Sequence, residues 1–512
     1  MIMMKDSITN VLIVGGGAAG WLAAGVIAAG HRSSIQVTLV ESPNVSTIGV
    51  GEGTWPTMRE TLRRIGVSEK SFLKECDASF KQGTKFVGWQ NGGHDEFYYH
   101  PFSLPQGFLD VNSVPCWQER MLGTSFASAL SPQQQICEHA LAPKQAATPD
   151  FAAVVNYGYH LDAAKFGLFL RDHCVRKLGV THVSDHVESA NQDENGYISS
   201  VCTKSNGALT ADLFIDCTGG AGLLIDKQLG QPMRARRQVL FNDRALAVQV
   251  PYQQKDQPIA SATVSTAMRS GWVWDIGLPT RRGVGYVYSS SHSSDEQADS
   301  ELRSYLLRST TRSDVEKCEF RQLRFEPGHR DSFWHKNCVA VGMSAGFIEP
   351  LEASALALVE LSVAMIRDDM PANREVMDIV ARRFNERFQY RWDRIIDFLK
   401  LHYVLSKRRD TDYWNDHQSN ETIPDRLQEL LALWQYRSPS RLDFYQTEEI
   451  FPAASYQYVL YGMGFKTRFN EAAVADDAAL ARKHLEENVR QTEKMLHGLP
   501  TNRELLAQIT GV

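Results

Sequence analysis

The sequence predicts a mixed α/β fold closed by a helical C-terminal cap. Three observations predict it. A strand, a glycine turn, a small-residue helix and a second strand follow one another over 10–41. Short extended segments with turns dominate from 84 to 342. Helical periodicity takes over after about residue 353.

In chain order, residues 10–14 (NVLIV) read as a buried strand, 19–30 (AGWLAAGVIAAG) as a helix and 35–41 (IQVTLVE) as a second strand ending in an acid. That order and spacing make a βαβ unit. The stretch 56–75 has helical periodicity, 84–89 and 96–102 are extended, and 161–177 is a further helix. Short strands fill 180–250, 258–292 and 318–342. Helices are expected at 353–370, 374–405, near 425–436 and at 474–497. No repeat or low-complexity linker divides the 512 residues, so the expected division is a body at 1–395 and a mostly helical cap at 396–512.

Composition narrows the function classes. Lys and Arg number 54 against 60 Asp and Glu, a formal charge of -6, which supplies no basic field for nucleic acid or an anionic membrane. The apolar run 11–30 resembles a membrane span, but its GGGAAG core is a turn that something must approach closely. The eight cysteines are scattered with no CxxC, so neither a disulfide framework nor a zinc site is expected, and a cytoplasmic location is. His182 and His186 lie four apart but lack a metalloprotease glutamate; they read as ordinary histidines, and no metal is expected.

Gly15-Gly16-Gly17-Ala18-Ala19-Gly20 fits G-x-G-x-x-G between strand and helix. Gly15 permits the tight turn, Gly17 the approach of a pyrophosphate, and Gly20 the packing of helix on strand. Glu41, 21 residues beyond Gly20, stands where a carboxylate accepts from ribose hydroxyls. Two later turns favour FAD over NAD: Asp216-Cys217-Thr218-Gly219-Gly220, and Val339-Ala340-Val341-Gly342 leading towards a helix near 354. The body is therefore flavin-monooxygenase-like. Flavin hydroxylases usually carry an aspartate after that last glycine, whereas Met343 follows here.

Four separated motifs, GGGAAG, ASFKQGTKFVGW at 78–89, GWVWDIGLP at 271–279 and GFIEPLEAS at 346–354, make the chain resemble the flavin-dependent tryptophan halogenases over nearly its whole length. The resemblance implies halogenation, bromination or chlorination, of an electron-rich aromatic of indole type. It implies FADH2 from a separate flavin reductase, O2 and halide as co-reactants, and a hypohalous acid delivered to Lys81. Glu352 matches the family's second catalytic residue. Gly342, Phe347 and Ile348 join Gly15, Gly17, Ala18, Ala19, Gly20 and Glu41 as expected FAD contacts, and the backbone of Ser354 and Ala355 as the halide site. The family more often has Ser-Thr-Gly where this chain has Ala353-Ser354-Ala355. Trp272 and Trp274, alternating on one strand, would keep substrate from the flavin and suppress oxygenation; Gly277 replaces the proline of that motif. His100, Phe102 and Tyr456 are expected at the substrate, Tyr456 together with Phe444 and Tyr445 where the family holds the amino-acid end or the ring of tryptophan. A homodimer is compatible with this reading. Two other functions fit the same motifs: a flavin monooxygenase that hydroxylates an aromatic, and a non-catalytic flavin-binding protein.

Overall fold

The computed structural model describes residues 7–44, 51–121, 123–470 and 478–511. They pack as two compact units, each assembled from three stretches of chain. The first takes the described residues of 1–78, 161–236 and 325–392; the second takes those of 79–160, 237–324 and 393–512. The segment expected as a cap, 396–512, thus belongs to the second unit together with 79–160 and 237–324.

The first unit is built on a six-stranded sheet in the order Trp334–His335, Cys338–Ala340, Leu213–Asp216, Asn10–Val14, Gln36–Glu41 and Thr181–Ser184. All but the first strand run parallel. Parallel strands need crossover helices, which cover both faces. Accordingly Val11 to Val14 are all at most 2% exposed. The helix Ala18–His31 is made of small residues because it is crowded. It packs against the helices Ala163–Lys177 and Ser354–Asp368, and a Cβ on Gly25 would come within 3.2 Å of Cys174 Sγ. The apolar stretch at 11–30 is thus a buried strand and helix, and no described helix is long and apolar enough to cross a membrane.

The second unit carries a seven-stranded sheet: Arg321–Arg324, Arg244–Pro251, Arg281–Tyr288, Gly271–Gly277, Thr263–Ala267, Gly83–Val87 and Phe97–Pro101. Only Thr263–Ala267 with Gly83–Val87 is a parallel pair. Val273, Val284, Tyr286 and Tyr288 form one core with Leu302 and Leu306 of the helix Asp295–Leu306. Strand alternation therefore puts Trp272 and Trp274 on the opposite face.

Local chemistry sets the ends of the helices. Asp162 caps Ala163–Lys177 by accepting from the backbone N–H of Ala164 and Lys165. The helix expected over 353–370 ends at Asp368, because Pro371 disfavours helical backbone at Met370. The expected helix at 56–75 is two, Thr57–Arg64 and Glu69–Glu75, broken at Gly66 (φ 78°) and restarted by Ser68, whose side chain accepts from Ser71 N. The C-terminal helix expected at 474–497 spans Ala478–Gly498; residues 474–477 lie outside the described residues.

Candidate active sites

The first unit holds a cavity of about 720 Å³ at the carboxyl ends of its central strands, lined by Gly15–Ala19, Glu41, Gly342, Phe347, Ile348, Ser354 and Ala355 among others. Ten of the expected FAD- and halide-site residues thus come together. Each glycine has its own reason. Gly15 has φ 112°, and a Cβ there would lie 2.3 Å from Cys217 O; a Cβ on Gly20 would lie 1.9 Å from Gly15 O, so Gly20 lets the helix sit on the turn rather than lining the cavity. Gly17 has ordinary backbone, φ -71°, and nothing lies within 4 Å of the Cβ it lacks. Its open space is the cavity itself, at the helix start where backbone N–H groups have no intrahelical acceptor. No lysine or arginine is among the described lining residues. A cradle of amides, small residues and aromatic walls fits a dinucleotide whose phosphates are held by backbone and helix dipole.

Glu41 ends its strand on the cavity wall, its carboxylate against Gly16 and 2.8 Å from His182 Nε2. His186 hydrogen-bonds Ser42 and Asn44. The two histidines therefore have separate partners, and no metal-binding cluster occurs among the described residues. The sequence reading missed two acids in this cavity. Asp185 accepts from the backbone N–H of His186, Ser205 and Asn206. Glu52, half-buried on the strand Gly51–Gly53, lines the cavity, and desolvation pushes its carboxyl up to about 7.

Also on the cavity wall, the helix Ser354–Asp368 begins without a side-chain cap. Ala353, in left-handed conformation (φ 53°, ψ 43°), turns the chain into it. Ser354 and Ala355 hold the first helical N–H groups, an arrangement suited to an anion. Glu352 is 4% exposed, and Trp55 Nε1 donates to its backbone carbonyl at 2.8 Å. One helical turn and a half beyond Ser354, Glu360 accepts from Thr57 and Thr61 hydroxyls. Burial pushes its carboxyl up to about 8.

The second unit holds Lys81, His100, Phe102, Tyr456, Trp272 and Trp274. Lys81 ends the strand Ser79–Lys81, which pairs with Gly158–Asp162, Lys81 opposite Gly158. Its neighbours are anchored: Phe80 O accepts from Asn502, Gln82 N donates to Ser261 O and Gln82 Nε2 to Leu141 O. Lys81 is 1% exposed, and its Nζ lies 5.4 Å from the centroid of the Phe102 ring. A solvated surface lysine would be exposed; this one is sealed in. His160, also buried and bonded to Thr263 Oγ1, is held neutral by burial and by the charge of Lys81.

His100 packs beside Phe398, Phe451 and Tyr458, and Tyr456 beside Phe398, Phe444 and Trp434. Phe398 and Phe451 stack at 3.9 Å. Neither was singled out in the sequence, where Phe398 is one aromatic of a long helical face. The Tyr456 hydroxyl is buried without a hydrogen-bond partner among the described residues. Phe444 joins this aromatic cluster, whereas Tyr445 is 85% exposed and does not. Trp272 and Trp274 are buried with ring centroids 6.3 Å apart. Gly285, paired with Trp274, makes room for it, since a Cβ there would lie 2.1 Å from the indole.

An α/β unit with a dinucleotide cradle at its strand ends, without lysine or arginine among the described lining residues, defines a dinucleotide-binding class. The comparisons with known proteins narrow it. The tryptophan halogenase family model matches residues 10–478. The 7-chloro-L-tryptophan 6-halogenase KtzR of Kutzneria sp. (strain 744) is 31% identical, over 98% of this chain and all of its own. A crystal structure of tryptophan halogenase from Shewanella frigidimarina NCIMB 400 superposes with TM-score 0.96 at 48% identity, covering 100% of this chain and 99% of that one. Tar14, a tryptophan C-6 flavin-dependent halogenase (chlorinase) from taromycin biosynthesis, gives TM-score 0.92 at 31% identity, over 98% and 99%. The chain belongs to the tryptophan halogenase family and is a flavin-dependent halogenase.

Proposed function

We propose that this protein halogenates an indole ring through Lys81, with the FAD cradle in the first unit and the aromatic cluster of the second unit as the substrate side. Bound reduced FAD would supply the electrons by which O2 becomes able to oxidise halide to hypohalous acid. Gly15, Gly17, Ala18, Ala19, Glu41, Gly342, Phe347 and Ile348 would hold it, with Gly20 supporting the turn. The N–H groups of Ser354 and Ala355 would hold the halide.

The observation that carries the reading is the buried ammonium of Lys81 beside an aromatic ring. Burying that charge is costly, and the enclosure excludes water that would otherwise compete for an electrophilic halogen. Lys81 Nζ–H either donates to the oxygen of the hypohalous acid or, as the amine, exchanges a proton for halogen with release of water. The ring carbon then takes the halogen and loses a proton, for which Glu352 would be the acceptor by its match to the family's second catalytic residue. His100, Phe102 and Tyr456 would bound the ring, and Trp272 and Trp274 would keep it from the flavin. A separate reductase would supply the reduced cofactor, and scattered cysteines without a disulfide framework suit a reducing, cytoplasmic compartment.

The test is mass spectrometry of indole and of free tryptophan incubated with protein, flavin reductase, FAD, NADH and halide. Halogenated product that requires O2 and halide supports the proposal. A hydroxylated product formed without halide would assign the protein to aromatic hydroxylation instead.

A further inference from the structure

The charge of the flavin cavity is unusual for a site that takes an anion. Its described lining residues include three carboxylates, Glu41, Glu52 and Asp185, one histidine, His186, and no lysine or arginine. Two of the acids are committed to other groups. Glu41 sits 2.8 Å from His182 Nε2. Asp185 accepts from three backbone N–H groups and from Asn206 Nδ2. His186 has both ring nitrogens bonded, to Ser42 and Asn44. Asp162, next to the lining residue Ala163, is spent on capping its helix. Cys217, which also lines the cavity, is kept neutral by burial. Glu52 differs from all of these: among the described residues it makes no hydrogen bond or ion pair.

We infer that Glu52 couples FAD binding to a proton: the cavity takes the dianionic dinucleotide with Glu52 neutral, and ionisation of Glu52 weakens binding. The inference rests on the reading of this cavity as the FAD site. Its physical basis is that a carboxyl with no cation beside it is already disfavoured as an anion by desolvation, which places its titration near 7. A pyrophosphate brought into the same cation-free space adds like charge and pushes that titration higher. By linkage, a group whose pKa rises on binding takes up a proton with the ligand. Affinity is then flat below the free-state value, falls by up to about tenfold per pH unit above it, and levels once the bound state also ionises.

The experiment is a titration of the full chain with oxidised FAD, read by quenching of flavin fluorescence, from pH 5.5 to 9. Proton uptake is measured in parallel by calorimetry in two buffers of different ionisation enthalpy. The wild type is expected to bind with constant affinity to about pH 6, to weaken above about 7, and to take up a substantial fraction of a proton per FAD near pH 8. E52Q, isosteric and neutral, should bind independently of pH in that window and at least fivefold more tightly than the wild type at pH 8.5. H186Q should retain the wild-type slope. Binding by the wild type that does not vary with pH, or a slope that survives in E52Q, overturns the inference while leaving the flavin site standing. Should E52Q not fold, absence of proton uptake by the wild type overturns it alone. Failure of the wild type to bind FAD at pH 6 overturns the reading of the cavity itself.

Discussion

Two residues separate what the fold needs from what the chemistry needs. Gly15 and Gly17 belong to the same fingerprint, but only Gly15 is held by the fold, with φ 112° and Cys217 O where its Cβ would be. Gly17 has backbone open to any residue and empty space beside it. Gly17→Leu is therefore expected to leave the thermal midpoint of the flavin-free protein within a few degrees while lowering FAD affinity at least 100-fold, read by flavin titration. Gly15→Ala should unfold the protein at lower temperature whether or not flavin is offered. Lys81 gives the complementary case. It is buried at 1% exposure, so Lys81→Met is the informative change: it keeps an unbranched chain of similar length in the enclosed space and removes only the amine. Halogenated product should fall about 10²–10⁴-fold, the usual span for loss of a proton-transferring group, with FAD affinity changed less than threefold. Product formation near the wild-type rate would remove Lys81 from the mechanism.

Elements show how far local sequence carries. The opening βαβ unit was legible because its signals are local: apolar strand, glycine turn, small-residue helix and terminal acid lie within 10–41, and the structure gives Asn10–Val14, Ala18–His31 and Gln36–Glu41. The role of the strand Gly51–Gly53 was not legible, because GEG reads as a turn and its importance comes from the cavity Glu52 faces. Nor was the bond from Trp55 to the Glu352 carbonyl, which joins residues 297 apart. The start of the helix Ser354–Asp368 is half legible. GFIEPLEAS marks it, but nothing local says that Ala353 takes a left-handed conformation costing on the order of 1 kcal/mol for a residue with a Cβ. Ala353→Gly is expected to raise stability by about 1 kcal/mol in urea unfolding. The same cap bears on the halide. If the halide enters here, the lack of a serine hydroxyl at 353 and an Ala355 less free to close around a small anion would cost the more strongly hydrated chloride more than bromide. In an equimolar mixture with indole, bromoindole is expected to equal or exceed chloroindole; a dominant chloroindole peak would refute that.

At the scale of the whole molecule, periodicity cannot tell which distant stretches share a core. A division at 395/396 follows from the change in local character, whereas each compact unit gathers three stretches, with the boundary between 392 and 393 inside the helix Arg374–Val404. What does act on the whole molecule is the charge it buries. Glu360 sits in the core of the first unit with two threonine hydroxyls and, among the described residues, no cation beside it; burial raises its carboxyl from 4.5 to about 8. Between those values the folded protein keeps a proton that the unfolded chain releases. Stability is therefore greatest below about pH 4.5 as far as this group is concerned, declines as pH rises towards 8, and changes no further above it. Each pH unit within that window costs about 1.4 kcal/mol, a few kcal/mol across it. Glu52 adds a loss of the same sign up to about pH 7. Glu360→Gln keeps a carbonyl oxygen for the threonines and removes the titration. Urea unfolding at pH 5, 6.5 and 8 should find the variant close to the wild type at pH 5 and more stable by on the order of 2–4 kcal/mol at pH 8. Parallel decline of the two proteins over that range would mean that Glu360 ionises without penalty in the folded state, and that the pH dependence arises elsewhere.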